Sequence, residues 1–347
     1  MGVTADLVTP SSVEELAALL ERATRERLSV RIVGGGTHSG FGDPEEPDIV
    51  VSTAALSQVH SWEPDDLTIV VGAGARVAEV ESMLAGRGQT LVFPEHPGDA
   101  TIGGVISAGI SSLRRGRLYS TRERVLETVV VTGDGRVVRS GGRVVKNVTG
   151  YDLFRLQVGA FGSLGVIVSV CLKLWPVPQA SATVTVSDPS EASRVIRPLA
   201  VLQDRDGTRL YLSGTAGEVE TLASRFEGPV TPGLDWPADP DGAWCWSLRV
   251  PPALTPEAVR RLPDSWDFLA IHGVGEVRAA SPDEEGADDL RRWAESVGGR
   301  LVVARRPAGT SFDPWGTPPP GLDLQRRLIE AFDPARALNR GFLPGGI

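Results

Sequence analysis

Cysteine is almost missing from this chain of 347 residues, which carries two, Cys171 and Cys245, far apart and outside any CxxC group. That scarcity excludes a disulfide framework and any iron–sulfur cluster, which needs several clustered thiolates, so an electron relay of that kind must sit on another chain. Both thiols are expected to be reduced and buried. Histidine is scarce too, and His38, His60, His96 and His272 lie too far apart in sequence for a local metal motif. No window approaches the roughly 20 apolar residues of a membrane span, and no basic segment followed by an apolar stretch opens the chain. A cytoplasmic protein is expected, or one held at the inner membrane only through partners. The formal net charge is −9, and the densest basic cluster is the short "LRRGR" of residues 113–117. Counterion release needs a concentrated basic footprint, so nucleic acid is not an expected partner.

What is present is an ordinary globular composition on a length that suits about two domains. "SSVEELAALLERATRERLSV" from Ser11 predicts an amphipathic helix capped by Ser11 or Ser12, feeding a strand that runs into "GGG". Strands are predicted at "PDIVVST" and "LTIVVGAGA", then a helix at "RVAEVESMLAGRG", then a hairpin around Gly133-Asp134-Gly135 and a strand in "GAFGSLGVIVSVCLKLWPVP". Two prolines in "WPVPQASATV" mark a boundary. Beyond it, strands are predicted at "RLYLSG", "AWCWSLRV", "DFLAIHGVGEVRAA" and "RLVVARR", with helices near 188–204, 254–262 and 283–297. A loop at 313–321 precedes a closing helix, "LDLQRRLIEAFDPARALN". The expected division is 1–178, 179–312, and a C-terminal loop and helix, 313–347, returning to the first domain.

Three stretches join glycines to hydroxyl side chains: "GGGTHS" (34–39), "HPGDATIGGVISAG" (96–109) and "GAFGSLGV" (159–166). Consecutive N–H groups form a concave anion site, hydroxyls add donors, and missing side chains let a diphosphate approach. Each alone could be a tight turn; three in one domain favour the diphosphate. "VVGAGARV" has Val77 where a dinucleotide fingerprint needs its third glycine, and no acidic residue closes a following strand, so a Rossmann site is disfavoured. No GxxxxGK[ST] is present.

The order "VGGGTHS", "PGDATIGGVISAG", "VVKNVTGYDLFRL", "GAFGSLGVIVSVCLKL" resembles the PCMH-type FAD-binding domain of vanillyl-alcohol-oxidase-type flavoproteins and bacterial hydroxy-acid dehydrogenases, over roughly residues 1–178. Within that family, "KNVTGYDL" and the compact length are most similar to the FAD-binding subunits of glycolate oxidases. The resemblance implies an α+β fold: two α+β subdomains clasping FAD, plus a smaller α+β cap domain. It implies a first pyrophosphate loop from Gly34, Gly35, Gly36, Thr37, His38 and Ser39. A second would come from Pro97, Gly98, Ala100, Thr101, Gly103, Gly104 and Ser107. Gly162, Ser163, Gly165 and Val166 would continue the cradle, with Val166 to Val168 offering backbone to the nucleotide half. Asn147, Thr149, Gly150 and Tyr151 would approach the flavin or the cap, and Asp152 would orient their loop.

Attachment is expected to be noncovalent, because relatives that attach FAD place a histidine directly after the glycines, whereas Thr37 precedes His38 here. His96 either bonds the flavin or caps its loop. The tail "LIEAFDPARALNRG" is similar to the family's closing segment, with Arg340 where proline is usual. Catalytic relatives that oxidise 2-hydroxy acids carry a metal-binding segment similar to H-x-G-D-G-N-x-H; "IHGVGEVRAA" keeps only His272 and two glycines, so no metal is expected and His272 reads as a remnant or a structural histidine. Arg249, Arg278 and Arg114 are candidate cations for a substrate carboxylate, although a solvent face is the preferred reading for each. No catalytic base is assigned. The resemblance implies work with a catalytic flavoprotein and an iron–sulfur subunit on a small 2-hydroxy acid. A self-sufficient FAD-dependent oxidase or dehydrogenase, and a structural subunit without cofactor, remain as alternatives.

Overall fold

A computed structural model describes residues 5–142 and 151–346. The chain divides into two compact units: 1–112 with 120–177 and 318–347, and 113–119 with 178–317. The basic cluster at 113–117 was no sign that Leu113–Tyr119 belongs to a different unit from its neighbours.

The first unit begins with helix α1, Val13–Glu26, whose N-cap Ser12 accepts from the Glu15 N–H at 3.1 Å while Ser11 donates to the Glu15 carboxylate. Its stripe Leu16, Leu19, Leu20 and Ala23 packs with Val30, Ile49 and Val51. Those three belong to a parallel three-stranded sheet in which Ile49–Ser52 lies between Asp6–Val8 and Val30–Val33. An antiparallel five-stranded sheet follows, in the order Val59–Glu63, Thr68–Gly72, Val166–Lys173, Val125–Val131, Val137–Gly141. Its central strand Val166–Lys173 is buried at six of its eight positions, which is why it reads as an unbroken apolar run. Helices α2, Val77–Ala85, and α3, Ile102–Ala108, bury Val77, Val80, Leu84, Val105 and Ile106 in the core shared with this sheet. Gly72 and Gly74 are explained here: an added Cβ would stand 2.1 Å from the Leu56 carbonyl oxygen and 1.9 Å from that of Thr53. Backbone packing requires these glycines.

The second unit holds an antiparallel eight-stranded sheet, in the order Val230–Pro232, Ala180–Val186, Gly207–Gly214, Ala200–Asp204, Asp267–Ile271, Glu276–Ser281, Trp244–Arg249, Arg300–Arg305. Trp244, Trp246 and Trp266 stack in series at 5.2 and 5.0 Å within its core.

Several expectations are corrected. The region 188–204 is no helix: a 3-10 turn, Pro189–Arg194, capped by Asp188, gives way to strand Ala200–Asp204, because Pro198 ends any helix and the following apolar residues are buried together as a strand. "DFLAIHGVGEVRAA" is two strands joined through Gly273 and Gly275, both at positive φ. Ala180–Val186, hidden behind the two prolines of the boundary, is a strand. The closing helix, Leu322–Phe332, stops at Asp333-Pro334. Neither cysteine is in a disulfide, but only Cys171 is buried; Cys245 is half-buried.

Candidate functional site

Strand Val30–Val33 delivers the chain into Gly34, and its far edge is held by the C-terminus. The Val30 N–H donates to the Ala337 carbonyl at 2.7 Å and the Asn339 N–H to the Val30 carbonyl at 2.9 Å. The Asn339 side chain then ties two segments together, accepting from the Ile32 N–H at 2.7 Å and donating to the Phe161 carbonyl at 2.5 Å. The turn between Phe332 and Asn339 is built around Asp333, which accepts from the Leu338 N–H at 2.8 Å; burial raises its carboxyl pKa.

The second loop packs directly under the first. A Cβ on Gly34 would lie 2.2 Å from Thr101 Oγ1, and one on Gly35 1.8 Å from the Asp99 carbonyl oxygen. Thr101 caps α3 by accepting from the Gly104 N–H at 3.2 Å, while the N–H groups of Ile102 and Gly103 donate to the carbonyls of Ala75 and Ala73. The third stretch is bonded to the end of α3, with Gly159 donating to the Ile106 carbonyl and Phe161 to that of Ser107.

These elements enclose one cavity. Gly34 to Ser39, Gly103, Gly104, Ser107, Gly162, Gly165 and Val166 line it. Arg31, Thr53, Phe161, Asn339 and Phe342 join them, none of which was among the expected site residues. A polar Asn339 directly after the apolar Ala337-Leu338 was the available signal for its role. No carboxylate lines the cavity, among the described residues. The N–H groups of Gly34, Gly35 and Gly36 donate to no described residue, whereas those of Ile102, Gly103 and Gly104 are used within the protein. The two loops therefore differ in kind: the first presents donors, and the second gives closeness. At Gly104 an added Cβ would meet only Thr101 Oγ1, at 3.1 Å, so its free side is the cavity.

The other expected residues lie elsewhere or serve the loops. Ala100 and Val168 are core residues, and Pro97 accepts from the Ala100 N–H. Gly98 has φ of +51° with open space beside it. The buried Ser163 hydroxyl donates to the Ala160 carbonyl at 2.8 Å. Ser39 donates to the Gly36 carbonyl and Thr37 Oγ1 is 2.9 Å from His38 Nδ1, so both hydroxyls turn inward on their loop. His96 is exposed, Tyr151 is 89 % exposed, and Asp152 pairs with Arg155. Asn147, Thr149 and Gly150 lie outside the described residues.

Residues 5–141 match the family model described as an FAD binding domain. The first unit carries an FAD binding domain. FAD is the cofactor such a domain holds, and the unshared N–H groups of Gly34 to Gly36 and the open side of Gly104 fit its diphosphate. Among curated relatives, the chain is 40 % identical over 169 residues to glycolate oxidase subunit GlcE of Escherichia coli, covering 47 % of this chain and 48 % of the relative. It is 35 % identical over 173 residues to a D-lactate dehydrogenase of Archaeoglobus fulgidus, covering 49 % and 38 %, and 30 % identical over 181 residues to glycolate oxidase subunit GlcD of Bacillus subtilis, covering 51 % and 38 %. The matches thus span less than half the length of each relative. A solved alkyldihydroxyacetonephosphate synthase superposes with a TM-score of 0.66 at 14 % identity, over 96 % of this chain and 75 % of that one. The likeness is one of fold, and that fold is α+β.

In the second unit, Arg278 is not on a solvent face. It pairs with Asp239 at 2.7 Å and with Glu276 at 3.0 Å, and Glu276 also pairs with Arg115 at 2.9 Å. Burial pushes the Glu276 carboxyl up, but Arg278, Arg115 and Arg249 outweigh it and take the pKa down to about 2. Arg249 is exposed, and Arg114 lies with its guanidinium carbon 5.9 Å from the Trp236 ring centroid. His272 Nε2 is 2.9 Å from Gln203 Oε1; burial lowers the pKa of the ring and Asp188 opposes that. No group of three or more His, Cys, Asp or Glu among the described residues could hold a metal.

Proposed function

We propose that this chain is the FAD-binding subunit of a multisubunit enzyme that oxidises a small 2-hydroxy acid, glycolate foremost. The observation that carries the reading is the convergence of three glycine-bearing loops on one carboxylate-free cavity, where the Gly34 to Gly36 N–H groups have no acceptor among the described residues. Those donors would bind the diphosphate, and Gly104 would let it approach. Asn339 holds the first loop and the Phe161 turn at a fixed separation, and Phe161 stacks with Phe342 at 6.2 Å on the cavity wall. Bound FAD would supply an acceptor for two electrons from the substrate.

The likeness to the glycolate oxidase subunits supports the substrate and the assembly. Two isolated cysteines support a partner that carries any iron–sulfur relay, beside a catalytic flavoprotein. The second unit would serve substrate or partner. No helix among the described residues is long and apolar enough to cross a membrane, and a cytoplasmic place, or one at the membrane through partners, accords with that.

Anaerobic mixing of glycolate with the purified, FAD-loaded chain tests the assignment. Visible flavin absorption should persist with the chain alone and bleach when the partner subunits are added. Full bleaching by the chain alone would replace this reading with that of a self-sufficient dehydrogenase.

A further inference from the structure

The basic cluster at 113–117 has no part in the cavity of the first unit, since Leu113–Tyr119 belongs to the second. Two of its arginines are engaged there, Arg114 over Trp236 and Arg115 with Glu276. Arg117 has no acidic partner among the described residues, and it lines a cavity of about 360 Å³. Arg197, from a distant segment, lines the same cavity and likewise has no acidic partner among the described residues. Tyr119 and His272 add polar groups, while Leu199 and Ile271 give apolar surface; no carboxylate lines it, among the described residues. The volume is within the range of small-molecule sites, roughly 300–1,000 Å³.

Backbone geometry at the cavity is a second, independent observation. Tyr119 has φ of 69° with ψ of 167°, and Arg197 has φ of 57°. These are conformations that residues with a side chain adopt rarely, and they tend to persist where a ligand clamp or functional loop requires them. Here two of them flank one cavity, and each sets an unshared guanidinium or a phenol on its wall. Two like charges facing one volume with no acid between them repel, and a doubly charged anion reverses the sign of that interaction.

We propose that this cavity binds a small organic dianion, a dicarboxylate or a phosphate monoester, with Arg117 and Arg197 as its charge partners and the Tyr119 hydroxyl as a donor. The site is separate from the FAD loops, and its existence does not depend on the reaction assigned above.

Calorimetric titration of the full, FAD-loaded chain with malonate, inorganic phosphate and acetate tests it. Malonate or phosphate should bind at least about tenfold more tightly than acetate, as one added charge-assisted hydrogen-bonded pair provides. Whichever dianion binds better identifies the source class. The double variant Arg117→Gln/Arg197→Gln should lose at least about tenfold in that affinity with flavin content unchanged, and Arg197→Lys should lose less than Arg197→Gln. No heat with either dianion, equal affinity for acetate, or undiminished binding by the double variant would overturn the proposal.

Discussion

At the residue scale, glycines that look alike in the sequence answer to different constraints. Gly34 and Gly35 are closed off by Thr101 and Asp99, whereas Gly104 opens on the cavity. Gly34→Ala should therefore lower the stability of the first unit by about 1–3 kcal/mol, as overpacking against a fixed neighbour does, and urea unfolding would show it. Gly104→Leu should act differently: its side chain enters the cavity, so FAD per chain should fall steeply while the tryptophan fluorescence of the second unit is unchanged. Flavin content equal to the parent would show that the second loop has been misassigned. The sequence made the loops legible as a set, because three stretches of Gly with Ser or Thr in one domain suit a diphosphate better than three separate tight turns. Which N–H groups are already taken within the protein, and which face the cavity, was not legible, since that depends on carbonyls of Ala73 and Ala75 some 30 positions away.

At the element scale, local rules sufficed where the chain closes its own hydrogen bonds. Ser12 and the spacing of Leu16, Leu19, Leu20 and Ala23 define α1 without help from the rest of the fold. Ser12→Ala should cost about 1 kcal/mol, readable as a shift in the denaturant midpoint of the first unit. The 188–204 region failed because a short apolar run buried in the interior of a sheet carries no period to separate strand from helix. On strand Glu276–Ser281, the pair Glu276 and Arg278 gives the second unit an acid sensitivity. The Glu276 pKa is lowered from 4.5 to about 2 in the folded chain, so its contribution is full above pH 4.5 and is lost as the pH falls toward 2. Six of the eight tryptophans belong to this unit, so their fluorescence during urea unfolding at stepped pH should show stability falling across that window. Glu276→Gln should flatten the dependence and lower stability at neutral pH, because it leaves buried guanidinium groups short of a carboxylate.

At the scale of the whole molecule, the hardest features to foresee join distant segments. Asn339 fixes the first glycine loop from 307 positions away, and Leu113–Tyr119 leaves one unit to complete the other. Neither the polar Asn339 after Ala337-Leu338 nor the basic cluster of 113–117 tells which distant segment it joins. The matches span less than half the length of these relatives, and the FAD binding domain model covers residues 5–141, which hold the first two loops, so cofactor binding is the property on which the account rests first. FAD titration of the purified chain tests that property most directly. The expected result is one FAD bound per chain and released on denaturation, with binding abolished in Gly104→Leu; a colourless protein that takes up no FAD would contradict the account.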